Sequence, residues 1–218
     1  MKIVVCAKII KGEINPFDAC ALETALRLSD DVTVVSMAPP SAINELTRLT
    51  RLGAKVISIT DSAYAGSDTL ATSYILSCAI NKIDYDLIIC GRQTIDGDTA
   101  QVGPSLATRL NINLITNVLD VSLNDNTLSC KTRIKDETCT LPALITVERI
   151  NELRFPSIFS KAGTPMLWNN IDLKADLSKC GLNGSPTQVL KTFENEKGKR
   201  HCKFISFHEL DSLIDDLL

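Results

Sequence analysis

The stretch CGRQTIDGDTAQVGP, residues 90–104, holds the residue types in this chain that are best suited to chemistry. Asp96 and Asp98 follow an apolar run, and a helical pattern begins just after them. Such a turn could cradle a phosphate, hold a metal ion, or only change the direction of the chain. Asp98 could also be no more than the N-cap of the next helix. Residue types alone leave these alternatives open.

The helix after this turn is expected to begin near residue 99, and its first turn would offer what a phosphate needs. Backbone N–H groups in residues 99–102 would have no partner within the helix and would lie at the positive end of its dipole. Gly91 and Gly97 would let the backbone approach a ligand closely. Either aspartate could accept hydrogen bonds from ribose hydroxyls. The turn is therefore a candidate nucleotide site.

Four short apolar runs alternate with helical patterns and predict where this turn lies in the fold. The runs are residues 2–8, 32–36, 55–59 and 86–90. Because alternating strands and helices require right-handed crossovers, we expect an α/β fold with a doubly wound, mainly parallel sheet. Ligands of such sheets bind beyond the carboxyl ends of the strands. The loops after all four strands are therefore expected to meet at one edge.

Two side chains near that edge are predicted to cap helices. Asn15 precedes Pro16, a pairing typical of an N-cap and the first helical position. Asp68 precedes Thr69 and a helical pattern that runs to about residue 80. In both cases the polar side chain would serve the end of its own helix.

The second half of the chain does not continue this alternation of strands and helices. Residues 118–149 read as three strands joined by polar turns, which predicts an antiparallel extension of the sheet. From Ser157 the pattern is irregular until a helical stretch at 207–218. We therefore divide the chain into an α/β domain with its extension, residues 1–156, and an extended C-terminal arm, residues 157–218. Such an arm is either partly disordered or wraps another chain.

Composition and charge exclude several classes of function. The formal net charge of −3 gives no reason to expect nucleic acid. No apolar run approaches the length of a membrane span, and MKIVVCAK reads as a strand rather than a signal peptide, so we expect a cytoplasmic protein. The eight cysteines form no CxxC pair and are expected to be reduced, and no metal site is predicted.

Motifs of common catalytic sites are missing as well. The chain has no GxGxxG, no P-loop and no GxSxG. Both histidines, His201 and His208, lie in the irregular arm, which disfavours a catalytic triad at the sheet edge. The residues alone therefore predict a nucleotide-binding sheet without visible catalytic machinery.

Several segments resemble, in order and spacing, the β subunits of electron-transfer flavoproteins. The nucleotide loop of that family is similar to GRQTIDGDTAQVGPSLATRL (91–110). Further similar segments are INPFDACALETALRL (14–28), VTVVSMAPP (32–40), AYAGSDTLATSYIL (63–76), LPALITVERINELRFPSI (141–158) and, as in clostridial-type members, SPTQVLKTF (185–193). The resemblance therefore covers nearly the whole chain.

This resemblance implies an adenine nucleotide α-hydrolase-like fold, a partner α subunit that carries FAD, and a second adenine nucleotide at the edge described above. In simple members of the family that nucleotide is AMP, and in electron-bifurcating members it is a second FAD; we favour FAD here. Carried over by position, the expected cofactor-binding residues are Cys6, Ala7, Lys8, Met37, Ala38, Asp68, Thr69, Gly91, Asp96, Asp98, Thr99, Ala100, Gln101, Val102 and Gly103.

The resemblance also implies a docking loop for an electron partner such as an acyl-CoA dehydrogenase. The loop corresponds to NELRFPSIFSKA (151–162), in which Ile158 or Phe159 would be the apolar anchor beside Lys161. The plain alternative is that these apolar residues are buried at the exit of a strand. The arm after this loop would wrap the α subunit.

The chain departs from the family pattern in two loops. Only IIKGE (9–13) separates the first strand from INPFD, which argues against bifurcation. KAGTP (161–165) stands where basic residues are usual, which argues for a different dehydrogenase partner. The leading hypothesis is an electron-transfer flavoprotein β subunit, an electron carrier in which no side chain does acid–base chemistry. The alternative is a stand-alone adenine-nucleotide-binding regulatory module.

Overall fold

A computed structural model describes residues 1–189 and 206 of the chain. One compact unit spans Met1–Gln188, and Val189 begins a second unit that lies mostly outside the described residues. The predicted helix at 207–218 and the end of the SPTQVLKTF segment also lie outside them.

Short strands alternate with helices along the first half of the chain, as the apolar runs predict. Within the described residues the strands are β1 (Lys2–Cys6), β2 (Ile9–Ile10), β3 (Glu13–Ile14), β4 (Asp31–Met37), β5 (Lys55–Ile59), β6 (Leu87–Gly91), β7 (Asn113–Val118), β8 (Asp120–Asn124), β9 (Thr127–Lys131), β10 (Asp136–Thr140), β11 (Ala143–Val147) and β12 (Met166–Trp168). The α-helices are α1 (Pro16–Leu28), α2 (Ile43–Thr50), α3 (Thr69–Ile80), α4 (Val102–Leu110) and α5 (Asn170–Leu173). In the part of the chain that the structure describes, none of them is long and apolar enough to cross a membrane.

The central sheet is parallel throughout and, among the described residues, has seven strands in the order β12-β5-β4-β1-β6-β11-β7. β1 lies in the middle, and its last residue, Cys6, is level with Val35 of β4 and Cys90 of β6. This arrangement confirms the predicted doubly wound, mainly parallel α/β sheet.

Helices cover both faces of this sheet. Val5 of β1 packs in one core cluster with Leu22 of α1, and the preceding Val4 packs in a second cluster with Ile75 of α3. Successive strand side chains point to opposite faces, so a strand covered on both sides is apolar throughout. That is why KIVVC shows no alternation of apolar and polar residues.

The predicted antiparallel extension is present but shorter than expected. β8, β9 and β10 form a separate antiparallel sheet. ALITV, the end of the predicted meander, is β11 and joins the central sheet as a parallel neighbour of β6. Pro142 lies between β10 and β11, and because proline cannot donate to a strand ladder, one expected strand becomes two.

Residues 166–188, which the irregular pattern assigned to an extended arm, close one edge of the central sheet instead. β12 pairs in parallel with β5, and Leu173 and Cys180 beyond it are buried in the cluster that contains α3. A strand of three residues is too short to show a hydrophobic period, so the sequence pattern could not predict it. The expected wrapping of an α subunit by the arm stays a prediction.

Candidate functional site

The carboxyl ends of β1 and β4 form the base of the candidate site. Ala7 and Ala38 each continue their strand by donating an N–H to a carbonyl of the neighbouring strand, both at 3.0 Å. Cys6, Ala7 and Ala38 are buried, and Met37 is partly buried. The resemblance puts five residues along an adenine, and the structure brings these four together at the base of the site, with the exposed Lys8 next to Ala7.

The backbone of the loop after β6 has an unusual shape at Asp98 and Ala100. Both residues have a positive φ, 52° and 55°, in the left-handed region. Alanine has no polar side chain that could compensate, and such a backbone costs about 1–2 kcal/mol. Gln101, which follows, is right-handed, with φ −103° and ψ −18°. Alternation of this kind turns successive N–H groups to one side and makes an anion-binding concavity.

The N-termini of α3 and α4 lie beside this concavity. α4 begins at Val102, so the predicted start near residue 99 is wrong, because the left-handed backbone at Ala100 cannot belong to the helix. Its N-cap residue, Gln101, makes no side-chain capping bond. The interpretation of Asp98 as the N-cap is therefore wrong. Thr99 Oγ1 lies 3.4 Å from Thr69 Oγ1 in the first turn of α3. Two positive helix ends thus converge near Thr99.

Asp68 is the N-cap of α3, as predicted, and both of its oxygens have donors. Oδ1 accepts the N–H groups of Leu70 and Ala71, at 2.9 and 3.1 Å. Oδ2 accepts the N–H and the hydroxyl of Thr187, at 3.0 and 2.9 Å. The Asp68 carboxylate therefore caps α3 and binds residue Thr187, whereas Thr69 contacts the loop after β6.

An ion pair crosses the site between the loops after β1 and β6. Lys8 Nζ donates to Asp96 Oδ2 at 2.6 Å, with both side chains about half exposed. Partial burial would raise the pKa of Asp96, but hydrogen bonds from Lys8 and Thr94 hold that pKa below its ordinary value. Asp98 accepts the side-chain amide of Gln93. Because each carboxylate has its own partner, the two do not form an acid–base pair. The described residues also hold no group of three or more side chains that could bind a metal ion.

The glycines of this loop differ in what surrounds them. A Cβ on Gly91 would meet the Asp18 carboxylate and lie 2.6 Å from the backbone of α1. A Cβ on Gly103 would lie 2.7 Å from a side chain of β11, whereas on Gly97 it would meet only a hydroxyl 3.4 Å away. Gly91 and Gly103 are therefore required by packing against α1 and the sheet.

Asn15 has a different role from the predicted one. It precedes α1, but its side chain makes no capping bond. Instead, Nδ2 donates to the carbonyl of Gln93 at 2.9 Å, and Oδ1 accepts the N–H of Ile95 at 3.2 Å. Sequence reasoning missed these contacts because they join positions 78 and 80 residues apart.

Asp18 is a buried polar residue that sequence reasoning did not single out. It lies in α1, and its Oδ2 accepts the N–H of Lys8 at 2.8 Å. An acidic residue within the apolar stripe of that helix was the available signal, because carboxylates are almost never fully buried without partners.

Residues 155–161, here named the apolar tip, expose three large apolar side chains. Phe155, Ile158 and Phe159 are 95%, 85% and 87% exposed, and Lys161 beside them is also exposed. The alternative that Ile158 and Phe159 are buried at a strand exit is therefore wrong. Their role as a docking anchor stays a prediction.

The end of α2 holds the apolar tip in place. Arg51 donates from Nε to the carbonyl of Ser160 at 3.2 Å and from Nη2 to the carbonyl of Ser157 at 3.3 Å. Beyond the tip, the N–H of Gly163 donates to Thr50 Oγ1 at 2.7 Å. Both ends of the tip are therefore fixed to the domain.

A buried carboxylate anchors the chain just before the apolar tip. Glu23 in α1 accepts Arg154 Nε at 2.9 Å, Arg154 Nη2 at 3.0 Å and Arg27 Nε at 2.9 Å. The Arg154 guanidinium, with help from Arg27, lowers the pKa of Glu23 to about 2. Glu23 is therefore ionised and fixes the direction in which the chain enters the tip.

Comparison with known proteins gives one consistent family. Residues 3–163 match the family model of the electron transfer flavoprotein domain. A protein named FixA from Azotobacter vinelandii is 42% identical over 91% of this chain and 78% of its own length. The electron transfer flavoprotein subunit beta of Clostridium acetobutylicum is 40% identical over 84% of this chain and 76% of its own. Subunit CarD of the caffeyl-CoA reductase-Etf complex of Acetobacterium woodii is 38% identical, with 83% and 75% covered.

Proposed function

Because this chain belongs to the electron transfer flavoprotein family and is a β subunit of it, we propose that the loop after β6 holds the phosphates of an adenine nucleotide and that this nucleotide is FAD. Because the chain belongs to this family, the prediction of an electron carrier that works with an α subunit is confirmed, and the alternative of a stand-alone regulatory module is not supported. AMP shares the adenosine phosphate part of FAD and is the other ligand that these loops would accept.

The observation that carries this proposal is the left-handed backbone at Ala100. Residues other than glycine that are held in such conformations cluster at ligand sites. Here the conformation lies directly before the N-terminus of α4, which has no side-chain cap. A pyrophosphate placed there would accept hydrogen bonds from both sets of N–H groups. The residues present therefore fit the nucleotide.

The neighbouring side chains suit the remaining parts of the nucleotide. Asp96 and Asp98 offer acceptors for ribose hydroxyls. Lys8 spans the site to Asp96 and supplies a positive charge that attracts a phosphate. Met37 and Ala38 offer an apolar base for the adenine ring.

In this proposal the flavin supplies the redox chemistry, and the residues of this chain bind and orient it. No side chain is assigned a proton transfer. We do not propose electron bifurcation for this chain. The segment that follows β1 is a short two-stranded hairpin, β2–β3, and Lys11 and Gly12 in its turn have positive φ. That hairpin is shorter than the loop the family resemblance implies for bifurcating members.

Replacing Ala100 with valine is expected to weaken nucleotide retention about tenfold, whereas glycine at this position is expected to preserve it. A β-branched side chain strongly disfavours the left-handed region, while glycine adopts it freely. An added conformational cost of about 1.4 kcal/mol corresponds to a factor of ten. The measurement is the number of nucleotides released per heterodimer after the full chain is purified with its α subunit and desalted.

The FAD of the α subunit serves as the internal reference in that experiment. Circular dichroism establishes that both variants are folded. Equal retention by the valine and glycine variants would refute the assignment of the loop after β6.

We further propose that the apolar tip docks the electron partner, for example an acyl-CoA dehydrogenase. Three exposed apolar side chains on a loop that is fixed at both ends form the kind of patch that marks an interaction site. Lys161 at its border supplies the polar rim that such patches have. A small transient interface of this type suits an electron carrier.

The double substitution Ile158→Ser with Phe159→Ser is expected to raise the KM for a purified acyl-CoA dehydrogenase about tenfold, because interface anchors carry most of the binding energy. The melting temperature should not change, since both side chains are exposed. Ile134→Ser is the matched control, because Ile134 is 88% exposed in the turn between β9 and β10. An equal effect of the control, or no effect of the double substitution, would contradict docking at the tip.

A further inference from the structure

We infer that Asn15 and Asp18 are positioning residues for the nucleotide, which fix the loop after β6 in the shape that presents its N–H groups. They act through that loop and through Lys8, without touching the ligand. The inference rests on the proposed nucleotide site. It assigns a role to two buried polar side chains that neither the helix pattern nor the family resemblance explains.

Asn15 holds the loop by its backbone. The bonds to the Gln93 carbonyl and the Ile95 N–H pair one side-chain amide, as donor and acceptor, with both sides of Thr94. Two such bonds fix the orientation of a segment as well as its position. Asn15 is itself completely buried, and its own N–H donates to the carbonyl of Lys8 at 2.9 Å. The loop after β6 is thereby tied to the residue whose ammonium pairs with Asp96.

Asp18 ties β1 and β6 together at the level where both loops begin. Its carboxylate accepts the N–H of Lys8 at 2.8 Å, and the Gly91 N–H and the Asn15 side chain are also directed at it. Gly91 has no room for a Cβ, because Asp18 and the backbone of α1 occupy that space. A displacement of Asp18 would therefore shift Lys8 and the point where the loop leaves β6.

Packing alone does not account for Asp18. Burying a carboxylate is unfavourable compared with an apolar side chain of similar volume, which has no desolvation penalty. Burial raises the pKa of Asp18 to about 7, although the donors from Lys8, Asn15 and Gly91 oppose the rise. A carboxylate at this position is useful only where its hydrogen bonds define the geometry of neighbouring backbone.

The groups that face Asp18 determine how the cluster responds to pH. From the loop after β1 these are the backbone N–H and the ammonium of Lys8, and from β6 the thiol of Cys90. Hydrogen bonding with Cys6 and burial raise the pKa of that thiol well above its ordinary value, so it stays neutral. The pKa of Asp18, about 7, lies near neutral pH, so its charge changes there.

The test uses the full chain in complex with its α subunit, depleted of nucleotide and titrated with AMP as the probe. Asn15→Ala removes both bonds to the loop, and Asn15→Asp keeps the acceptor for the Ile95 N–H but loses the donor. Asp18→Asn imitates the uncharged side chain. Asn113→Ala is the matched control, because the Asn113 amide also donates to a backbone carbonyl, that of Thr140, at 2.7 Å.

At about pH 8, Asn15→Ala and Asp18→Asn are each expected to weaken AMP binding about tenfold, and Asn15→Asp about threefold, since each lost bond is worth roughly a factor of three. Asn113→Ala should bind like the unmodified protein. The affinity ratio between the unmodified protein and Asp18→Asn should fall toward one as the pH is lowered to about 6, because protonation of Asp18 makes the two alike. The titration of the AMP phosphate is common to both and cancels in this ratio.

Amide hydrogen exchange without nucleotide gives a second readout. Residues 94–98 should exchange about tenfold faster in Asn15→Ala and Asn15→Asp than in the unmodified protein, because the loop loses its anchor. Unchanged exchange in both variants, or an affinity ratio for Asp18→Asn that is constant between about pH 6 and 8, would overturn the inference. If the unmodified protein binds neither AMP nor FAD while exchange still rises in the variants, the nucleotide assignment fails and the positioning of the loop stands.

Discussion

Replacing Gly91 with alanine is expected to lower the free energy of unfolding by about 3 kcal/mol and to abolish nucleotide retention. The added Cβ would lie 2.6 Å from the backbone of α1 and would meet the buried Asp18 carboxylate. Neither neighbour can move independently, since α1 packs on the sheet and Asp18 is held by backbone N–H groups. Overpacking against backbone falls at the upper end of the usual range of about 1–3 kcal/mol. Urea denaturation of the full chain, followed by circular dichroism, measures the loss.

Gly97→Ala is the matched control for this substitution. Gly97 lies in the same loop, but a Cβ there would contact only a hydroxyl at 3.4 Å, and its φ is not in the positive range that favours glycine. Its effect on stability is expected to stay within about 0.5 kcal/mol. If both alanine variants unfolded at the same urea concentration as the unmodified protein, the close contact between β6 and α1 would not exist in solution.

Replacing Glu23 with glutamine is expected to lower the free energy of unfolding by about 3 kcal/mol at pH 7. The Glu23 side chain is only 5% exposed and accepts both Arg154 and Arg27. A pKa of about 2 in place of the ordinary 4.5 corresponds to roughly 3 kcal/mol of stabilisation by the charge. Both arginines are about half exposed and regain water when the carboxylate is lost, so the destabilisation is not larger. The entry into the apolar tip should loosen as well, because Arg154 precedes it directly.

The pH dependence of this effect has a defined direction. A carboxyl group whose pKa is lowered in the folded state stabilises the fold fully above its unfolded pKa, about 4.5, and loses that contribution as the pH falls toward about 2. The difference in stability between the unmodified protein and Glu23→Gln should therefore shrink over that interval. Glu45→Gln is the control, because Glu45 pairs with Arg48 on the surface and should change stability by less than about 0.5 kcal/mol. A difference that did not vary with pH would show that Glu23 contributes by packing, not by charge.

The sequence predicts the parts of this molecule that depend on local pattern. Alternating strands and helices follow from short apolar runs, and the runs are uninterrupted because the sheet is covered on both faces. The cap at Asp68 was predictable because its acceptors and donors lie within one helical turn. The meeting of the loops after β1 and β6 was predictable as well, because the carboxyl ends of parallel strands lie at one edge of the sheet.

The parts that sequence reasoning could not predict depend on contacts between distant positions. Asn15 has the residue type of an N-cap, yet its amide bonds to a loop about 80 residues away. Gly91 resembles a ligand-binding glycine, but α1 is what requires it. The left-handed backbone at Ala100 could not be predicted from the sequence either, because alanine does not favour that conformation.

The nucleotide content of the complex between the full chain and its α subunit decides whether the loop after β6 is a nucleotide site. The complex is purified, desalted and denatured, and the released nucleotides are identified by mass and counted per heterodimer. We expect two FAD molecules, falling toward one in Ala100→Val. One FAD with one AMP would contradict the choice of FAD and leave the site in place. One FAD and no other nucleotide would show that the loop after β6 does not hold an adenine nucleotide.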